Sequence, residues 1–287
     1  MADSTAVRPP ARFTRELTTL VAGPVAIWII GWGSDLVFNV AMTLVCLLAL
    51  HEFLVLGRKK GYDIPIVICI GVALLLLLAF VLKEVSVEMG VFVTLLVIPG
   101  SYVFSRKPLD DSLPSSAISV LATMYVGMLG GSIIRLRGDF GDEGPKLVFF
   151  LLLVVWMGDA GAYYVGRQFG RHKLSPRISP KKTIEGGIGG VTTSILAAVG
   201  IHFAFFPTFP LVHAILAGVI LSIAGMIGDL AESMWKRSAS VKDSGSLIPG
   251  HGGFLDRFDS ILFTAPILYV YWTLIVHDFR TLNIMSG

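Results

Sequence analysis

The chain is short of charge and of cysteine. Only 15% of its 287 residues are Asp, Glu, Lys or Arg, against about 25% in an ordinary soluble domain. Beside a hydrophobic fraction of 54%, that scarcity excludes an ordinary water-soluble domain. The two cysteines, Cys46 and Cys69, both fall inside apolar runs. They are too few for a disulfide framework and match no Cys/His metal spacing, so they read as core residues. Strict alternation of apolar and polar residues is also missing, which argues against a transmembrane β-barrel. No strong internal repeat is visible, so a transporter built from inverted halves has no support. No small-residue cleavage site follows the first apolar run. The polar, basic stretch over residues 1–16 is therefore expected to be a cytoplasmic tail rather than a cleaved signal.

What remains is a series of apolar runs, each near the roughly 20 residues that a helix needs to cross a bilayer. Nine lie near 17–33, 35–56, 64–82, 87–105, 115–134, 147–166, 186–206, 210–230 and 259–277. The expected fold class is an all-α polytopic membrane protein. Its N-terminal helices would occupy 17–145. A C-terminal region would occupy 146–287, with two elaborate polar loops at 167–185 and 231–258. With the N-terminus inside and strict alternation, most of the 23 Lys and Arg fall on the inner side. The outer segments hold Lys83, Arg135, Arg137, Lys146 and Arg280. The positive-inside bias therefore predicts nine spans, N-terminus cytoplasmic and C-terminus outside.

Three polar stretches interrupt this apolar chain. Asp159, in VVWMGDAGAYYVG, lies within or near the end of the sixth span. Tyr163 is four residues on and shares its helical face. An intramembrane carboxylate faces a protein interior or a watery cavity, and it is functional by default. The structural alternative is pairing with an Arg from another helix. The second stretch, RHKLSPRISPKKTIEGGIGG, brings Lys181 and Lys182 to the start of the seventh span. Ser179 as cap and Pro180 at the first helical position would open that helix, where free N–H groups attract phosphate. A purely topological basic loop is the competing account. The third stretch begins with GMIGDLAESMWKRS, where Asp229, Glu232, Ser233 and Lys236 form one polar stripe.

Directly after it comes KDSGSLIPGHGGFLDRFDS, residues 242–260. Gly245, Gly250, Gly252 and Gly253 permit tight turns and close approach to a ligand. Asp256 and Asp259, with Asp229, could give hard oxygen ligands to Mg²⁺. Lys242, His251 and Arg257 could hold phosphates, Arg in bidentate fashion. The apolar anchors Phe254, Leu255 and Phe258 argue against a flexible linker. His51 and Glu52 near the end of the second span, and Asp35 on the outer side, are expected at interfaces within reach of head groups and water.

The stretch from Ser233 through Lys236, Arg237, Lys242, Asp243 and Pro249 to His251, Gly252, Gly253, Asp256, Arg257 and Asp259 resembles the signature of the CDP-diacylglycerol synthases, or phosphatidate cytidylyltransferases. SPKKTIEG at 179–186 and Asp159–Tyr163 are similar to further family segments. Trp235 and Ala160 depart from the pattern. The resemblance covers 155–262; the N-terminal half matches only in being several apolar spans. It implies an enzyme using CTP and phosphatidate to make CDP-diacylglycerol and pyrophosphate, with Mg²⁺ and a second cation, K⁺ or another Mg²⁺. It implies Asp229, Asp256 and Asp259 as metal ligands, and Lys182, Lys236, Lys242, His251 and Arg257 as anion holders. Asp159 would be a polar anchor in the membrane cavity. Ser179, Lys181, Ser233, Arg237, Asp243, Gly252, Gly253 and Tyr163 would contribute to substrate binding.

The implied setting is a bacterial inner membrane, with the site facing the cytoplasm and phosphatidate entering from the inner leaflet. A homodimer is implied and no nucleic-acid partner is expected. Two other readings stay open: a cytidylyltransferase for another lipid phosphate, such as an ether lipid, and an ion-coupled transporter using Asp159. A CDP-alcohol phosphotransferase lacks its paired Asp-x-x-Asp pattern here.

Overall fold

The computed structural model describes residues 20, 23–82, 84–105, 109–245 and 252–277. Among them the chain forms nine helices and one short hairpin. A short helix α1 covers 23–31. It is followed by α2 (Asp35–Lys59), α3 (Ile66–Val81), α4 (Val87–Val103), α5 (Ser112–Gly138) and α6 (Glu143–Phe169). The strands β1 (Lys173–Ser175) and β2 (Ser179–Thr183) then precede α7 (Ile184–Ala204), α8 (Leu211–Ser238) and α9 (Leu255–Tyr271), which ends in a π-helical turn over Trp272–His277. Six helices are long and apolar enough to cross a membrane; α3 and α4 are shorter apolar helices. The chain is an all-α integral membrane protein apart from the hairpin. Its outward surface carries exposed apolar side chains such as Val67, Leu96 and Phe92, as expected where the solvent is hydrocarbon.

Local chemistry sets the helix ends. The tight connection at Gly33 and Ser34 is present: Ser34 caps α2, its Oγ accepting from Val37 N at 3.4 Å. Arg137 of α5 closes this corner. Its guanidinium donates to Ile30 O at 3.0 Å, Gly33 O at 3.1 Å and Asp35 Oδ1 at 3.1 Å. Close helix contact between α6 and α7 depends on small residues, the usual device in membranes. A Cβ on Gly158 or Gly161 would strike Ser194 Oγ or Thr193 Oγ1. Ser194 Oγ donates across to Val154 O at 3.0 Å, and Thr193 Oγ1 to Met157 O at 2.9 Å.

Two expectations are corrected. The seventh helix does not begin at Ser179–Pro180. Those residues open β2, which pairs antiparallel with β1 through Lys173 opposite Thr183 and Ser175 opposite Ser179. A residue before proline favours extended backbone, and proline is tolerated on an edge strand. Thr183 is the cap instead, with extended φ/ψ, and its Oγ1 accepts from Gly186 N at 3.1 Å. The eighth helix also runs two turns past the expected end, to Ser238, and the ninth starts at Leu255. The connection between the two helices thus spans 239–254, of which 246–251 lie outside the described residues, and Asp229, Glu232, Ser233 and Lys236 all sit on helix.

Candidate active site

A cavity of about 950 Å³ opens between α6, the hairpin, α7, α8 and the start of α9. Asp159 and Tyr163 line it from α6, Lys181 and Lys182 from β2, Asp229 and Lys236 from α8. Asp243 and Gly252 line it from the loop, and Asp256, Arg257 and Asp259 from the first turns of α9. Arg167, Thr183, Ser222 and Ser260 add further polar groups, while Val155, Leu221 and Met226 give apolar wall.

Helical spacing explains the charge pattern. Asp229 and Glu232 are three apart, and Glu232 and Lys236 four apart, so all three project from one side of α8. Lys182 Nζ reaches from the hairpin to Asp229 Oδ2 at 2.5 Å, and Ser233 Oγ donates to Asp229 Oδ1 at 3.3 Å. Lys236 Nζ sits between Glu232 Oε2 at 2.5 Å and Asp256 Oδ1 at 2.6 Å. Asp259 Oδ1 accepts from Ser260 N at 2.7 Å.

One carboxylate oxygen from each of Asp229, Glu232 and Asp259 lies within 4.8 Å of the others. Three carboxylates so close repel one another strongly outside bulk water. Glu232 is 0% exposed. Neither of its oxygens has a well-directed hydrogen bond, although Lys236 Nζ is 2.5 Å from Oε2. The ion pair with Lys236 holds all the same, because charge attraction needs no particular angle. Even so, an acidic cluster with unsatisfied buried oxygen fits a hard divalent cation, which takes oxygen donors.

Asp256 has a different environment. Its Oδ2 accepts from Ser244 N at 3.0 Å and Gly253 N at 2.9 Å, and Oδ1 accepts from Lys236. It ties the two ends of the loop to α8. Gly252 has φ of 81°, a conformation open to glycine, beside this carboxylate.

The structure thus gathers Asp159, Tyr163, Lys181, Lys182, Asp229, Lys236, Asp243, Gly252, Asp256, Arg257 and Asp259 around one cavity. Four candidates touch neighbours rather than the lining: Ser179 in the hairpin, Ser233 on Asp229, Arg237 donating to Val241 O at 3.1 Å, and Gly253 on Asp256. Lys242 is exposed beside the site and does not line the cavity. His251 lies outside the described residues. Sequence reasoning missed two carboxylates, besides the lining residues Arg167, Thr183, Ser222 and Ser260. Glu232 was visible as part of the α8 stripe but was not singled out as a site residue. Glu52, expected at an interface, is only 3% exposed. No local pattern signals it, because its partners lie some two hundred positions away.

Comparison with known proteins bears on this site directly. The sequence profile of the cytidylyltransferase family matches residues 13–275. A protein named phosphatidate cytidylyltransferase from Bacillus subtilis (strain 168) is 34% identical over 265 residues, covering 89% of this chain and 95% of that one. A protein of the same name from Staphylococcus aureus (strain COL) is 36% identical over 260 residues, covering 89% and 97%. One from Staphylococcus epidermidis (strain ATCC 12228) is 34% identical over 264 residues, with the same coverage of 89% and 97%.

Proposed function

Because the chain belongs to the cytidylyltransferase family, we propose that it transfers the cytidylyl group of CTP to phosphatidate, giving CDP-diacylglycerol and pyrophosphate. A phosphate monoester oxygen of phosphatidate attacks the α-phosphorus of CTP. The bond from that phosphorus to the bridging oxygen breaks, and pyrophosphate leaves. The attacking group is already an anion, so no strong general base is needed. The barrier comes from bringing anions together, and the enzyme lowers it by positioning and by charge placed in advance.

The observation that carries this reading is the convergence of three carboxylates with Lys182, Lys236 and Arg257 in one cavity. Asp229, Asp256 and Asp259 are the proposed Mg²⁺ ligands. Asp229 and Asp259 have the stronger support, since their oxygens lie beside Glu232, while Asp256 already accepts from Lys236 and two backbone N–H groups. When bound, Mg²⁺ and a second cation, K⁺ or another Mg²⁺, would offset phosphate charge and stabilise the leaving pyrophosphate. Lys182, Lys236, Lys242, His251 and Arg257 are proposed to hold phosphates of CTP or lipid. Lys181, Asp243, Gly252 and Tyr163 shape the pocket, and Asp159 is the proposed polar anchor within it. Val155, Leu221 and Met226 offer an apolar wall for acyl chains entering sideways from the inner leaflet.

The proposed setting is a bacterial inner membrane with the N-terminus and the cavity on the cytoplasmic side, the C-terminus outside, and two copies per assembly. The charge bias supports this orientation: Arg58, Lys59 and Lys60 end α2 on the same side as the cavity, where Lys60 Nζ donates to Ser238 O at 2.7 Å. The test uses purified protein in micelles with phosphatidate, Mg²⁺ and radiolabelled CTP. Label passing into the organic phase only with both lipid and Mg²⁺ is expected, with EDTA abolishing it. Transfer to an ether-lipid phosphate but not to phosphatidate would replace the substrate assignment.

A further inference from the structure

Glu52 is a buried carboxylate that the reaction scheme does not use. It stands on α2, in the half of the chain where the sequence offers no chemistry, and it points at the site loop. Its Oε2 accepts from Ser244 Oγ at 3.0 Å and from Leu255 N at 2.9 Å. These two partners sit at opposite ends of the loop between α8 and α9. Gly245 and Gly253 lie against the same carboxylate, and a Cβ on either would strike a Glu52 oxygen. Leu255 N is also one of the free N–H groups at the start of α9, so Glu52 caps the helix that carries Asp256, Arg257 and Asp259.

The neighbouring residue fixes α2 itself. Phe53 packs on Trp235 of α8 with ring centroids 4.6 Å apart, and Trp235 meets Tyr125 of α5 edge-on at 5.0 Å. Glu52 is therefore held on a rigid platform of three helices. A buried carboxylate is costly unless hydrogen-bonded. A neutral side chain would fill this space without that cost, so packing alone does not account for a charge here.

We propose that Glu52 is a positioning residue for cytidylyl transfer: it staples both ends of the 239–254 loop to α2 and sets the placement of Asp256, Arg257 and Asp259. Glu52 and Asp256 act together. Each bonds to Ser244 and to the stretch Gly253–Leu255, one from α2 and one from α9. Cutting either tie frees the loop ends to shift, and a shift of about 1 Å in a positioned group can lower turnover by on the order of 10²-fold.

The inference rests on the proposed reaction, so its test has one arm that needs no activity. In full-length protein in micelles, Glu52→Gln keeps the volume and removes the charge. Its kcat is expected to fall on the order of 10²-fold with the KM for CTP changing far less. Amide exchange should speed up at Ser244, Gly253 and Leu255, and stay unchanged in α6 and α7. Combined with Ser244→Ala, the loss should be less than the product of the two single losses, because both variants cut the same tie. As a control, Leu50→Ala removes buried packing from α2 and should lower thermal stability while leaving kcat per folded molecule unchanged. Parental kcat in Glu52→Gln, or unchanged exchange at those three amides, would overturn the proposal. If Glu52→Gln does not fold, Ser244→Ala decides: reduced kcat with parental melting supports the staple, and parental kcat overturns it. A parent protein inactive toward CTP and phosphatidate would refute the reaction instead, leaving the exchange arm to judge the staple.

Discussion

Buried charge is treated differently at the two ends of this helix bundle. At the end away from the cavity, Arg137 is 9% exposed and its guanidinium bonds two carbonyls and Asp35. The group locks the α1–α2 corner. At the cavity end, Asp229, Glu232 and Asp259 crowd together, and both Glu232 oxygens lack a well-directed hydrogen bond. A satisfied buried charge marks a joint. A crowded, under-satisfied cluster beside a cavity marks a place that something positive completes.

That contrast can be broken experimentally. Asp229→Asn and Asp259→Asn should each reduce turnover on the order of 10³-fold, the upper range for removing one electrostatic stabiliser, with parental folding in a melting assay. Asp256→Asn should also abolish turnover while the protein remains folded and inserted, which radiolabel transfer and membrane extraction would check. Lys182→Ala loses a cation from the cavity mouth; kcat/KM for CTP should drop about 10–100-fold, in line with about 1.5–3 kcal/mol for a charged hydrogen bond. Arg137→Ala should do the reverse. It should cost about 1–3 kcal/mol of stability, because the carbonyls of Ile30 and Gly33 lose their donor, yet leave kcat per folded molecule unchanged. The smallest effect sharpens the correction at the seventh helix. Thr183→Ala should cost about 1 kcal/mol as a lost cap, whereas Ser179→Ala should change stability by less than about 0.5 kcal/mol.

What could be read from the sequence follows from the range of the interactions involved. Asp229 and Lys236 share one helix, and Asp256 and Asp259 one helical turn, so spacing alone grouped them. The apolar spans were legible because bilayer thickness fixes their length. Ser179 and Thr183 compete for the same cap over four residues, and only the pairing of β2 with Lys173–Ser175 decides between them. The reach of α8 through Ser238 was hidden because its last turns are polar. Lys242 and Arg237 belong to the signature, yet neither lines the cavity, and Arg237 donates to Val241 O instead. Glu52 was beyond local reasoning, since burial and both partners come from tertiary packing.

The most direct measurement is thermal melting of the parent protein and an Asp229→Asn/Asp259→Asn variant, each with Mg²⁺ and with EDTA, in the absence of CTP. A ligand that binds only the folded state raises its stability by mass action. The account predicts that Mg²⁺ raises the parent's melting temperature and leaves the double variant's unchanged. The same upward shift in both proteins would contradict it, because the carboxylate cluster would then not be the cation site.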